Sequence, residues 1–542
     1  MSRLLVLTGT TLFPVEHVPR RDTVLLVEDP GFCARKRFHQ QKLAYVLGCM
    51  RDARDELRAA GREVVYYEID DGVTLAEGVR RTVRHHHTAL AHFQTEDQTP
   101  ATQLREVARD IGINYTTIAS PMFLTDPGVL DEWFSTNRPA MSAFYKMQRR
   151  RLGILVEGQD PVGGQWSFDA ENRSRVRRET VLPSEPRSLQ WSDSASRAVQ
   201  DVARLFPDHP GDAAELWLPT SRNGAEHWLE HFLSQRFMGF GTFEDAMTVR
   251  SRVVHHSVLA PILNVGLLTP SFVIDRALAF ARDHNVALND LEGFIRQIVG
   301  WREFIRGMAR TSGREMRTAN AWDADRSPDH SWFTADTGIV PLDHALRGAT
   351  NLAWNHHIER LMVIANLMNL CGIHPSCVYD YFMRYYIDAY DWVMVPNVFG
   401  MGLTSDGGLF TTKPYICGSN YMRKMSDHGS GQWCETVDGL FWRFVDKHAD
   451  RLRKNPRLAL MVAQSDRIEA KRRKRLFDAA DTSQSAAGQD IGSAAPLRHS
   501  CPAAQRRAAC ADGVGRPAAE ADAAGGHVPR RAQPDHHRVG RH

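Results

Sequence analysis

The stretch "GREVVYYEIDDGVTLAEGVRRTVRHHHTALAHFQ" (residues 61–94) decides the fold class. "REVVYYEI" (62–69) and "ALAHFQ" (89–94) are short apolar runs rich in strand-forming residues, whereas "LAEGVRRTVRHH" (75–86) between them has helical periodicity. Strand, helix and strand in that order predict a parallel crossover, with the helix covering one face of a sheet. The alternation extends both ways. "RLLVL" (3–7), "TVLLVE" (23–28) and "NYTTIAS" (114–120) read as further strands, and "RFHQQKLAYVLGCMRDARDELRAAG" (37–61) and "ATQLREVARDIG" (101–112) as helices. Residues 1–125 are therefore expected to form an α/β domain with a parallel, Rossmann-like sheet. Neither GxGxxG nor GxxxxGK[ST] occurs, so the dinucleotide fingerprint and the Walker A loop are both absent. The run His85–His87 invites a metal reading, but consecutive histidines on a helix face different ways, and no metal site is assigned there.

At 542 residues the chain exceeds what one core sustains. From about 126 to 215 Gly, Pro and Ser clusters such as "EGQDPVGGQWSFDAENRS" read as a connecting region, and 216–477 is helical and aromatic. Residues 478–542 contain almost no large apolar side chains and are expected to be a disordered tail. A net charge of only +3 means that an anionic partner must be met by a local patch. No segment is long and apolar enough for a membrane span, and the first residues lack a cleavage pattern. The eight cysteines (33, 49, 371, 377, 417, 434, 501 and 510) form no CxxC pair, which suits free thiols and a cytoplasmic protein.

"FHQQKLAYVLGCMR" (38–51), "SVLAPILNVGLLTP" (257–270), "GWREFIRGM" (300–308), "HHIERLMVIANL" (356–367), "DAYDWVMVPNVFGMG" (388–402), "DGGLFTTKPY" (406–415) and "YMRKMSD" (421–427) together, and in this order, resemble the cryptochrome/photolyase family. The branch they resemble includes the prokaryotic (6-4) photolyases. The resemblance covers about residues 3–475. It implies an α/β domain followed by an all-helical domain that binds FAD, and a monomer acting on UV-damaged DNA.

Several residues acquire roles from that resemblance. Ser257 and Leu259 match a loop that binds the FAD phosphates, although a Ser before a helix is equally an ordinary N-cap. Trp301 and Arg302 match a helix between flavin and lesion; alone, the same segment reads as a surface helix with a Glu303–Arg306 pair. Cyclobutane-dimer photolyases carry a Glu three residues before that Trp, and Ile298 stands here, which argues for another lesion. Arg360 and Asp388 match an ion pair at the flavin's reactive edge, where opposite charges in a dry site interact strongly, and Asn397 matches a neighbour of that edge. A plain buried salt bridge is the alternative.

In "WNHHIERLM" (354–362), His356 and His357 match the His pair of the (6-4) branch. Without the resemblance they read as one core and one solvent-facing histidine, since adjacent helical residues point about 100° apart. With it, His357 is expected to face the lesion and supply a proton, and His356 to orient it or touch the flavin. Tyr415 matches a position beside the lesion, and Lys413 one that meets a phosphate.

The sequence also departs from its relatives. Four cysteines hold an iron–sulfur cluster in them, but none occurs here between Cys49 and Cys371, and "HGSG" (428–431) stands where two should follow "MSD". No iron–sulfur cluster is expected, the loop being closed instead by Trp433, Trp442 and Phe444. Electron transfer to the flavin is assigned to Tyr381, Trp392 and Trp332, with Trp354 a further candidate. The family's proximal Trp–Tyr step falls on Tyr381–Phe382, and Phe is hard to oxidise. A second antenna chromophore of the ribityl-lumazine type is implied in the N-terminal domain, where Cys33, Lys36 and the "LFPVE" loop (12–16) depart from near relatives.

From Arg423 to Arg475 there are 14 Lys/Arg against seven Asp/Glu. Arg423, Lys424 and the rest of this run read either as a solvated face or as a phosphate-binding patch. Next to a cavity lined by Trp301, His357 and Tyr415, DNA with the lesion flipped out is favoured. The expected function is light-driven repair of UV pyrimidine photoproducts of the (6-4) type. A cryptochrome-like blue-light receptor without repair is the alternative, and a colourless nucleotide-binding protein a third.

Overall fold

The structure is a computed structural model and describes residues 2–187, 190–411 and 414–490. Five parallel strands, β1 (Ser2–Leu7), β2 (Thr23–Val27), β3 (Val64–Tyr67), β4 (His87–Phe93) and β5 (Asn114–Ile118), form one sheet in the order β3-β2-β1-β4-β5. The sequence periodicity thus places all five. Leu4, Leu5, Val6, Val24, Leu25 and Leu26 are fully buried, as expected of strands covered on both faces. The crossover helix over 75–86 ends early, at Thr82. His87 opens β4, and its Nδ1 accepts a hydrogen bond from the Arg84 N–H at 3.0 Å. Of the three consecutive histidines, this one is therefore held by the turn and the sheet.

Order reversal at β1 leaves a crevice beyond the carboxyl ends of the strands, the usual ligand position in such sheets. There Thr8, Asp29, Cys33, Arg35, Lys42 and Tyr390 line a cavity.

The region 126–215, expected as a connection, holds three helices, Pro127–Thr136, Met141–Leu152 and Asp193–Leu205. The last packs along the long helix Gln40–Ala59. Its Ser192 cap accepts from Ala195 N–H at 2.9 Å, and Ser192 also donates to Asp52 of the neighbour helix. The Gly/Pro clusters around these helices hid them, because the helices are short and their apolar faces narrow. Beyond them the chain is helical. Its second core holds Trp322, Trp332, Tyr381 and Trp433. The last helix among the described residues, Ala470–Ala487, runs past residue 477; the rest of the tail expected to be disordered lies, from 491 on, outside the described residues. Among the described residues, no helix is long and apolar enough to cross a membrane.

The two halves meet along "FHQQK". His39 N–H donates to Arg384 O at 2.8 Å, Gln41 Nε2 to Asn351 O at 2.7 Å, and the buried Lys42 ammonium to Met383 O and Ala389 O at 2.9 and 2.6 Å. His39 itself caps its helix: Nδ1 accepts from Gln41 N–H at 3.2 Å while Nε2 contacts Thr350 O at 2.7 Å. Burial lowers its pKa to about 4. A neutral ring is required in the fold, but the unfolded chain takes a proton near pH 6.5. Stability is therefore complete above about 6.5 and is lost as pH falls toward 4, by on the order of 3 kcal/mol for this residue. Thermal unfolding between pH 7 and 4.5 is expected to show the loss. His39→Asn, which keeps a cap acceptor but does not titrate, should flatten the profile; an unchanged slope would remove His39 as the cause.

Candidate functional site

Three helical runs of the C-terminal half contain a π turn each: Arg296–Arg302, Glu359–Ala365 and Pro396–Gly402. Such turns widen a helix locally and recur at functional sites. Here they carry Arg302, Arg360 and Asn397, all marked from the sequence. Nothing in the local composition distinguishes a π turn from the α-helix around it, so this feature was invisible there.

At the centre lies a bidentate pair, Arg360 Nη1 to Asp388 Oδ1 at 2.8 Å and Nη2 to Oδ2 at 3.0 Å. Arg360 Nε donates to Asn355 O at 2.7 Å, and its guanidinium lies 4.3 Å from the Tyr386 ring centroid. Asn264 joins this pair to Arg302: its Nδ2 donates to Asp388 O at 3.0 Å while its Oδ1 accepts from Arg302 Nη1 at 2.5 Å. Arg302 is partly buried, its pKa lowered to about 10 by burial, and its Nε and Nη2, both shielded from solvent, have no hydrogen-bond partner. Buried, unsatisfied donors of this kind are costly. They are the features that an acceptor-rich ligand would satisfy. Arg302 lies between Phe123 and Trp392, 5.0 and 4.9 Å from their centroids. The surface-helix reading of this segment is overturned: Glu303 and Arg306 are both buried, 3.9 Å apart, and Glu303 accepts from Leu124 N–H at 2.8 Å.

The loop before Ala260 departs from ordinary backbone. Val254 (φ 52°) and Val258 (φ 56°) are β-branched residues in the left-handed region, a strained placement. They bracket His255, His256 and Ser257. Ser257 O accepts from Trp228 Nε1 at 3.0 Å and its Oγ from Leu259 N–H at 3.4 Å, so the hydroxyl serves as a local turn acceptor.

His356 and His357 diverge as adjacent residues must. His356 is buried beneath the pair, and the Arg360 N–H donates to its carbonyl at 3.2 Å. Its pKa is driven well below the usual histidine value by burial. His357 is about half exposed, with Nε2 3.5 Å from Asp245 Oδ1. Burial alone would raise the Asp245 carboxyl, but the bond and charge of His357, with Arg173 nearby, hold it below its usual range. Tyr415 is part-exposed in the same acidic surroundings of Asp169 and Asp245. Neither Asp245 nor His256, whose ring stacks on His356 at 4.8 Å between centroids, was marked from the sequence. Each is more than 95 residues from its partner, and no local pattern flags it.

Other marked residues separate. Asn397 Nδ2 donates to Val393 O in its own helix at 2.8 Å. Tyr381 stacks on Tyr385 at 4.7 Å and lies 6.4 Å from Tyr386, whereas Trp392 belongs to the Arg302 group and Trp332 to the buried core. Trp301 lies over Phe410 at 6.4 Å, half-buried. Arg423 and Lys424 are exposed; Lys413 lies outside the described residues. Much of the basic run is engaged within the fold. Arg443 pairs with Asp481, Arg473 with Asp446, and Arg475 with Glu435 at 3.3 Å, joining the helices Gln432–Lys447 and Ala470–Ala487.

A parallel α/β domain joined to a helical domain that carries a charged, partly unsatisfied cluster points to the photolyase/cryptochrome class. The fold agrees: a class III photolyase from Agrobacterium tumefaciens superposes with a TM-score of 0.54 at 16% identity, over 90% of this chain and 98% of that one. A Synechocystis cryptochrome gives 0.52 at 14% identity, over 90% and 99%. Within that class the sequence is more specific. The model of the deoxyribodipyrimidine photo-lyase-related protein family matches residues 10–217. A (6-4) photolyase of Agrobacterium fabrum is 32% identical over 485 residues, 85% of this chain and 94% of the relative. The chain belongs to this photolyase-related family.

Proposed function

We propose that the protein is a light-driven, FAD-dependent DNA photolyase that repairs (6-4) pyrimidine photoproducts. The observation that carries the proposal is the Arg360–Asp388 pair, linked through Asn264 to the unsatisfied Arg302 and joined to His356 by the Arg360 N–H. Arg302, Arg360 and Asp388 would hold the isoalloxazine, with Ser257, Leu259 and Asn397 as further contacts. The donor set fits a flavin: orphaned N–H groups seek acceptors, and a cation–carboxylate pair stabilises changes in charge without moving. Bound FAD would supply light absorption and one-electron transfer to the lesion. Trp392, Tyr381 and Trp332 are the residues assigned to its reduction.

The chain's own part is positioning and proton transfer. Trp301 and Tyr415 would line the cavity for the flipped-out lesion, and His357, oriented by Asp245, would donate a proton to the leaving hydroxyl. Arg423 and Lys424, with Lys413, would contact phosphate. Ile298, buried at the position of a Glu in dimer-cleaving relatives, supports the (6-4) assignment. The cavity at the carboxyl ends of β1 and β2, with Cys33 in its wall, is the place proposed for a second, antenna chromophore. No iron–sulfur cluster is proposed, because the sequence lacks a cysteine between Cys49 and Cys371 and has "HGSG" (428–431) where two further ligands would be needed.

The purified protein is expected to absorb near 450 nm, to release flavin on boiling, and to restore a (6-4)-damaged oligonucleotide under blue light. Flavin with no repair would favour the receptor reading. A colourless protein that takes up no added FAD would defeat both.

A further inference from the structure

Three histidines from two distant segments converge on one point. One ring nitrogen from each of His256, His356 and His357 lies within 4.8 Å of the others. His256 and His356 are buried, and their rings stack with an interplanar angle of 13°. His357 meets His256 edge to face at 5.4 Å. His256 Nε2 and His356 Nδ1 have no hydrogen-bond partner. Two buried imidazoles with unused nitrogens are an unfavourable arrangement unless something else occupies those nitrogens.

The geometry points to a binding site for a divalent transition-metal ion, zinc foremost, formed by His256, His356 and His357. Tetrahedral zinc at about 2.0–2.1 Å from each nitrogen places neighbouring donors about 3.4 Å apart. Here the nitrogens lie within 4.8 Å of one another, so closing on an ion requires the part-exposed His357 to turn inward and one of the two stacked rings to rotate out of the stack. Imidazole donors select zinc, copper or nickel over magnesium or calcium. Carboxylates stand behind two of the rings, Asp245 Oδ1 3.5 Å from His357 Nε2 and Glu359 Oε2 4.0 Å from His356 Nε2, where orienting partners of metal-bound histidines are found. Three protein donors leave a fourth position for water or a ligand oxygen.

The site rests on this geometry alone. Its consequence rests on the function proposed above: an ion that takes the lone pair of His357 prevents it from carrying the proton, so zinc should inhibit repair reversibly.

The test titrates Zn²⁺ into the full-length flavoprotein, stripped with chelator, by calorimetry. A parallel Cu²⁺ sample is read by electron paramagnetic resonance for nitrogen hyperfine lines. One high-affinity ion per chain is expected, with three-nitrogen coordination. Affinity should fall by on the order of 100-fold or more in His256→Gln and again in His357→Asn. Flavin content shows whether each variant is folded, and the exposed His357→Asn covers a failure of the buried variant. Absence of a high-affinity site, or one that both variants retain (the chain has other histidines), would overturn the proposal, whether or not the protein repairs DNA.

Discussion

Substituting His357 by Ala is expected to slow repair of a (6-4) oligonucleotide by about 10²–10⁴-fold while flavin content and light-driven flavin reduction stay as they are. The two readouts separate because of where the residue sits. Its side chain is about half exposed, and its nearest charged partner, Asp245, is also partly exposed, so truncation removes little packing. Arg360 and Asp388 do not depend on it: their bonds run to each other, to Asn355 O and to Asn264. Loss of repair would therefore report loss of a proton donor. Asp245→Asn should give a smaller decrease, because it leaves the imidazole but removes the carboxylate that orients it. Chromatographic quantification of restored oligonucleotide per absorbed photon provides the measure. Repair at the wild-type rate in His357→Ala would mean that the proton comes from elsewhere.

How much of this was legible in the sequence depends on the range of the interactions. The five strands were, because a sheet buried on both faces writes itself as continuous apolar runs such as "RLLVL" and "TVLLVE". Local capping limited the helix boundaries: the crossover helix stops at Thr82 because His87 leaves it for the sheet. Arg360 and Asp388 were found through resemblance to a family, since 28 positions and two helices separate them. The features fixed only in three dimensions went unseen. These are the π turns that aim three site residues, the strained valines around Ser257, and the approach of His256 and Asp245 to the His pair. The basic run between 423 and 475 shows the limit of composition as a guide. It cannot separate the exposed Arg423 and Lys424 from Arg443, Arg473 and Arg475, which hold two helices together.

Removing the carboxylate of Asp388 is expected to have the largest structural effect in the helical half. In Asp388→Ala the Arg360 guanidinium, mostly shielded from water, keeps its charge and loses its counterion. Breaking a buried pair from one side costs about 3–5 kcal/mol, mainly the uncompensated charge left behind. Lys42 adds to the cost. It is buried, its pKa lowered to about 7 by burial, and Asp388 is the strongest group opposing that shift; without the carboxylate the seam between the two halves holds a cation that is still harder to keep charged. A lower melting temperature and reduced flavin occupancy should appear together. The double variant Asp388→Ala/Arg360→Met separates the pair's two roles. With no unpaired charge at Arg360 it should recover much of the melting temperature, because apolar replacements of buried pairs are often neutral for stability. It should not recover flavin photochemistry, which needs the charges themselves. If the double variant regained both, the pair would be a structural salt bridge, the alternative that its sequence left open. If Asp388→Ala alone kept wild-type stability and flavin, the pair would have no part in either.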